Sequence, residues 1–260
     1  MNDLLFSGAL AFLIPAAAWK KGALKPSAAL LSGVMVFLTG LAGIACTLLM
    51  VISFLAVSVV EKLMEPRSQA IERENVLKSG PRDMVQVLVN GGFGLLALLL
   101  FVFTRADCFL VLYAASIAEA LADSTASSVG MALQGSTFDI CSFRRLSPGI
   151  SGGISFGGTM AALAACAGVG LFAALTPVSD GRGGVIVTLS AFLGVLADSV
   201  LGSRFQRKNR CAVCGKITEK AIHCGQETHW HSGLRHLDND GVNASSNLIA
   251  CLLALLFCAI

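Results

Sequence analysis

Eight long stretches almost free of charge dominate the chain, at residues 4–18, 27–43, 44–60, 85–103, 108–131, 152–176, 184–203 and 242–260. A helix needs about 20 mostly apolar residues to cross a hydrocarbon core of about 30 Å. In lipid, every backbone N–H and C=O must also be satisfied inside the bilayer. Runs of this length therefore predict membrane-spanning α-helices. Composition agrees: 55% of the 260 residues are apolar and only 13% charged, against about 25% charged in soluble domains. The expected fold is all-α, a polytopic membrane helix bundle of about eight transmembrane helices. Residues 1–260 form a single integral membrane domain, with 204–241 as a polar Cys/His loop between the last two spans. The first run has no basic segment before it, which favours a retained span over a cleaved signal.

The uninterrupted apolar run 27–60 is too long for one straight span and short for two, and Gly40 and Gly43 lie near its middle. Charge distribution decides, because Lys and Arg accumulate in cytoplasmic loops. With two spans and the N-terminus outside, the inner loops hold Lys20, Lys21 and Lys25, then Lys62, Arg67, Arg73, Lys78 and Arg82, then Arg144 and Arg145. The last inner loop adds Arg204, Arg207, Lys208, Arg210, Lys216, Lys220 and Arg235, leaving only Arg105 and Arg182 outside. A single span over 27–60 gives a much weaker asymmetry. Eight spans with both termini outside is the expectation. The net charge of +3, with no basic helix or aromatic-basic motif, excludes nucleic acid as the expected partner.

This topology brings the unusual polar residues to one side. Asn90 opens the fourth span, Glu119 and Asp123 sit toward the inner end of the fifth, and Asp198 and Ser199 end the seventh. Asp238, Asn239, Asp240 and Asn243 lead into the eighth. An acid at membrane depth costs about 2.5–3.5 kcal/mol on insertion scales, so it marks a use. Asp123 and Asp198 share the local sequence Leu-Ala-Asp-Ser, and carboxylates facing one cavity are hard ligands suited to Mg²⁺ carrying phosphate. The alternative is pairing with neighbouring helices or proton relay. Between Ser147 and Gly158, Ser151, Gly152 and Gly153 open a helix whose backbone N–H groups could hold an anion, with Arg144 and Arg145 just upstream. Tight helix packing is the competing use of those glycines. Arg82, Asp83, Gln86 and Asn90 recur at helical spacing, either aimed into the same cavity or forming a solvated helix start.

Five of the nine Cys lie in apolar runs and act as small hydrophobes. Cys211 and Cys214 form a C-x₂-C pair followed by His223-Cys224 and then His229. Such a set on the reducing side can make a closed, structural zinc site, with His223 or His229 supplying the imidazole. Free thiols on an open loop are the other reading.

Together these residues resemble an integral-membrane family, long of unknown function, that includes the plant phytyl-phosphate kinase of tocopherol synthesis. The likeness rests on Arg82-Asp83, Gln86 and Asn90-Gly91-Gly92; on Ala122-Asp123-Ser124 with Ala126-Ser127; and on Pro148-Gly149, Gly152 to Ser155 and Gly158-Thr159. It continues through Asp198-Ser199, Gly202 and Gln206 to Asn239-Asp240 and Val242-Asn243. Two positions depart from the pattern: Ser128 stands where the family has Glu, and Ile150-Ser151 where it has Thr-Asn. The resemblance implies a CTP-dependent kinase that converts an isoprenoid lipid monophosphate to the diphosphate beside the membrane lipids. On that basis Asp123, Asp198 and Asp240 would organise Mg²⁺ and phosphate. Ser124, Arg144, Arg145, Ser151, Gly152, Gly153 and Ser199 would hold phosphate oxygens, and Asn90, Asn239 and Asn243 would add hydrogen bonds. The rival class is an ion-coupled transporter using the intramembrane Asp residues, which would need polar residues along the outer halves of the spans.

Overall fold

The computed structural model describes residues 2–77 and 80–260; Lys78 of the expected inner loops lies outside them. Eight helices follow in order: α1 (Asn2–Lys20), α2 (Pro26–Thr39), α3 (Ile44–Asn75), α4 (Met84–Thr104), α5 (Cys108–Leu133), α6 (Phe156–Ala174), α7 (Gly181–Arg204) and α8 (Asn239–Ala259). The long apolar run does divide, and Gly43, at φ 118°, makes the break. Seven of the eight are long and apolar enough to cross a membrane, α2 being the exception. Its 14 residues rise about 21 Å. Large side chains such as Phe12, Leu30, Phe103 and Leu171 project outward from the helices, half or more exposed, as lipid-facing surfaces require.

Helix α5 is the hub. From Leu110 to Glu119 every residue is buried, and α3, α4, α6, α7 and α8 all pack against it. Small residues allow the close approaches: a Cβ on Gly158 would lie 2.9 Å from the Ala126 carbonyl oxygen, so α6 and α5 meet nearly backbone to backbone. Tyr113 donates its hydroxyl hydrogen to the Cys46 carbonyl at 2.7 Å, tying α5 to the start of α3. Ser7, Thr39 and Thr47 share hydroxyl hydrogen bonds, joining the start of α1, the end of α2 and the start of α3.

These contacts fix an alternating arrangement. The α1–α2 turn pairs with the segment before α4: the Lys25 N–H donates to the Arg82 carbonyl, and the Arg82 N–H donates to the Ala23 carbonyl. The starts of α4, α6 and α8 and the ends of α5 and α7 share that end. The start of α1 and the end of α8 lie at the other end, where Arg182 donates to the Phe257 carbonyl. Helix α3 runs 15 residues past the predicted end of its span, a projecting arm rather than an inner loop.

Two strand groups complete the described fold. A two-stranded ribbon pairs β1 (Phe138–Asp139) with β2 (Gly153–Ile154). Between α7 and α8, β3 (Lys208–Cys211), β4 (Ile217–Thr218), β5 (Ile222–His223) and β6 (Gln226–Ser232) form a small sheet in the order β4-β3-β6-β5. The loop expected at 204–241 is thus folded, and its β4 end docks on the projecting arm of α3. Thr218 donates to the Glu74 carbonyl at 3.1 Å, and Lys216 pairs with Glu74.

Candidate functional site

A polar cavity opens where these helix ends converge. Asp123 and Ser124 come from α5, Asp198 and Ser199 from α7, Asn239 and Asn243 from α8, and Gln86 and Asn90 from α4, with Arg82 just before it. Ser151, Gly152 and Gly153 form one wall, and Glu61 and Glu72 enter from the arm of α3. Asp123 and Asp198 are within electrostatic range of each other, as are Asp123 and Arg82. Asn90, Asp123, Asp198, Asn239 and Asn243 thus share one cavity, as part of the set read from the sequence.

The carboxylates are embedded in a hydrogen-bond network. Ser246 lies with its hydroxyl 2.7 Å from Glu119 Oε1 and 3.2 Å from Asp198 Oδ2, linking the two acids. Asn247 donates to Glu119 Oε2 at 2.7 Å and to the Ser116 carbonyl at 2.9 Å. Glu119 is thus held behind the cavity wall, orienting the Asp198 side. Asn243 donates to Asn90 Oδ1 at 3.5 Å, while its own Oδ1 is buried and has no hydrogen-bond partner. A buried amide oxygen left unpaired costs about 1–3 kcal/mol. Five carboxylates line the cavity (Glu61, Glu72, Asp123, Asp198 and Glu219) against Arg82 alone among the described cations. Excess negative charge and an orphaned hard oxygen both fit a divalent cation of the Mg²⁺ type.

Several expected site residues fall elsewhere. Arg144 and Arg145 are exposed on the β1–β2 connection and do not line the cavity, because the ribbon turns that loop outward. Asp240 is buried in the first turn of α8, where a negative charge suits the helix N-terminus, and is likewise absent from the lining. Asp83 caps α4: it accepts from the Gln86 N–H at 3.0 Å, and Gln86 accepts from the Asp83 N–H in return. The Ser151-Gly152-Gly153 turn is in place, but the N–H groups of Ser151 and Gly153 are already used. Gly153 N–H donates to the Ile150 carbonyl, and both the N–H (3.1 Å) and the hydroxyl of Ser151 donate to Glu219. Gly152, at φ 87°, is instead a close-packing residue: a Cβ there would lie 2.4 Å from Ser203 Cα.

Glu61, Glu72 and Glu219 are cavity acids that sequence reasoning missed, and Glu219 is the most distant in origin. It is 4% exposed and comes from the Cys/His loop, 68 positions from Ser151. Burial raises its pKa more than the hydrogen bonds from Ser151 lower it. Beside the ribbon, Asp139 accepts from Ser203 Oγ at 2.7 Å and from Cys141 and Ser142. Partial desolvation opposes ionisation there, but these four bonds win and hold its carboxyl at about 2.

A second polar centre lies in the small sheet. The ligand atoms of Cys211, Cys214, His223 and Cys224 all fall within 4.8 Å of one another. Tetrahedral zinc with sulfur ligands at about 2.3 Å spaces them by about 3.8 Å, so the four fit. His223 is the imidazole in this cluster, whereas His229 sits exposed on β6 opposite Arg210. The neighbouring ligands His223 and Cys224 converge because Cys224 adopts φ 52°, a strained conformation for a non-glycine residue. The Cys214 N–H pulls Cys211 down to about 6. Its hydrogen bond to Cys214 and the nearby thiols push Cys224 up to about 11. Crowded sulfur charges of this kind are what a bound cation relieves.

A separate, mostly apolar groove lies beside the cavity among α1–α5, lined by Pro15, Met35, Val36, Phe54 and Val57. Arg82, Gln86, Asn90 and Ser124 border both spaces.

Fold and site together define an integral membrane helix bundle with an acidic cavity at one end and an apolar groove leading to it. The chain belongs to the integral membrane protein family DUF92, whose model matches residues 9–251. It is 28% identical over 275 residues to Protein PGR of Arabidopsis thaliana, covering 96% of this chain and 94% of that protein. It is also 38% identical over 100 residues to an uncharacterized membrane protein of Synechocystis, covering 37% of each. No solved structure matches the chain.

Proposed function

We propose that this protein is a membrane-embedded kinase that uses CTP to convert a phytyl-like isoprenyl monophosphate to the diphosphate. One observation carries the reading: Arg82, Gln86, Asn90 and Ser124 lie on the border between an apolar groove and an acidic cavity. An amphiphile with a long hydrocarbon tail and a phosphate head fits such a border, tail in the groove and head against Arg82 and Asn90. The nucleotide and the CTP preference come from the family resemblance.

In the reaction, an oxygen of the lipid phosphate forms a bond to the γ-phosphorus of CTP as the bond from that phosphorus to the β–γ bridging oxygen breaks. CDP leaves. The acceptor is an oxyanion at neutral pH, since a phosphate monoester loses its second proton near pH 6. No general base is needed, which accords with a cavity lined by acids and amides. Such transfers depend on positioning and charge neutralisation. Asp123 and Asp198, with the free Asn243 Oδ1, would hold Mg²⁺, whose chemistry is to neutralise the phosphate oxygens inside an acidic cavity. Ser199 and Asn239 would contact the nucleotide phosphates. The Cys211, Cys214, His223 and Cys224 set would hold structural zinc.

The transporter reading is disfavoured by packing. Residues 110–119 of α5 are continuously buried between this cavity and the pocket at the opposite end, which is lined by Asp107, Pro177, Asp180 and Arg182. Purified protein with Mg²⁺, CTP and phytyl monophosphate should yield phytyl diphosphate. Asp123→Asn and Asp198→Asn should each lower kcat by about 100-fold or more, the scale of removing an electrostatic stabiliser. Absence of product, with Asp123-dependent ion or lipid-phosphate flux in proteoliposomes, would make the carrier reading correct.

A further inference from the structure

The hairpin that carries the Cys/His cluster also carries Glu219. Cys214 and His223 bracket it in sequence, and the two faces of this short segment differ sharply. Cys214 and Cys224 face solvent, whereas Thr218 is fully buried and Glu219 nearly so. The Glu219 side chain reaches Ser151 and lines the same cavity as Asp123 and Asp198. It lies within electrostatic range of Asp198. Bringing another acid into an already acidic cavity is costly unless a cation or strong hydrogen bonds offset it. The local frame is slight. Strand β4 is a two-residue edge strand, paired only with two residues of β3, and so short an edge adds little stability of its own. Closing the ends of the segment through a metal ion supplies the missing constraint.

We propose that zinc on Cys211, Cys214, His223 and Cys224 clasps this hairpin and thereby holds Glu219 in the cavity as a third carboxylate for the divalent cation. The clasp stands on the hairpin geometry, and the cation role of Glu219 rests on the function proposed above. The zinc ion lies outside the cavity and contacts no substrate. Its effect is transmitted through the four residues from Lys216 to Glu219, of which Lys216 and Thr218 also anchor to Glu74 on α3.

Two readouts on the full-length protein in detergent separate the parts. The first is zinc content together with hydrogen exchange of the Ser151 amide, before zinc removal by chelation, after it, and after zinc is restored. We expect one zinc per chain, exchange at Ser151 at least about tenfold faster in the stripped protein, and recovery with zinc but not with Mg²⁺. A chain without zinc after purification in its presence, or Ser151 protection indifferent to zinc, overturns the clasp. The second is Mn²⁺ affinity by electron paramagnetic resonance, competed by Mg²⁺. Stripped protein and zinc-replete Glu219→Gln should both bind Mn²⁺ about 10- to 100-fold more weakly, the range for losing a supporting group at a metal site. Wild-type affinity in Glu219→Gln overturns the cation role while leaving the kinase reading intact. Zinc-dependent Ser151 protection with no Mn²⁺ binding at all overturns that role together with the kinase reading, and confirms the clasp.

Discussion

At the scale of single residues, the protein separates side chains that do chemistry from those that allow a close approach. Gly152 belongs to the second kind, with its φ of 87° and its contact with α7 at Ser203. Gly152→Ala should cost about 2–4 kcal/mol from backbone strain and overpacking, seen as a lower unfolding temperature in detergent. Asp139 is a brace between the ribbon and α7. Its folded pKa of about 2 lies below the unfolded value of about 3.9, so its stabilisation is complete above the unfolded value and disappears as pH falls toward 2. Asp139→Ala should therefore lower stability by about 1 kcal/mol at pH 7, allowing for solvent screening, and the gap to wild type should close on acidification. Asp123, Asp198, Asn90 and Asn243 could be read from the sequence because polar residues in apolar runs stand out. Glu219 could not, because an acid in a polar loop carries no such signal and its partner Ser151 is distant in the chain. Arg144 and Arg145 misled for the opposite reason: proximity in sequence to the glycine turn did not survive the outward course of the ribbon.

At the scale of elements, hydropathy located every helix but not every end. The predicted third span stops at residue 60, where the apolar run gives way to charge, yet α3 continues to Asn75 because its amphipathic arm docks the Cys/His sheet. Residue type alone could not show that docking surface. At the start of α4 the sequence left Asp83 and Gln86 as cavity-facing groups or a solvated helix start, and the structure makes them a capping box. Asp83→Ala should destabilise by about 1 kcal/mol and displace Arg82 from its ion pair with Glu61. Parallel losses of unfolding temperature and lipid-phosphate affinity would show it. The sheet between α7 and α8 was expected only as a loop, because β4 and β5 have two residues each and the longer β3 and β6 are mostly polar, without an apolar alternation.

At the scale of the whole molecule, eight helices alternate direction so that the start of α1 and the end of α8 lie opposite the acidic cavity. Arg105 and Arg182 are at the terminal end, and the other described Lys and Arg residues lie toward the cavity end, so we propose that the cavity faces the cytoplasm. Protease added to inside-out vesicles should cut within 204–241 and spare tags on both termini, whereas cleavage of either tag would reverse the orientation. The account depends most on distant carboxylates forming one cation site beside the lipid groove. Anomalous scattering from crystals grown with Mn²⁺ tests this most directly. The account predicts a peak bounded by Asp123, Asp198 and Asn243; a fully occupied Mn²⁺ elsewhere, with that space empty, would contradict it.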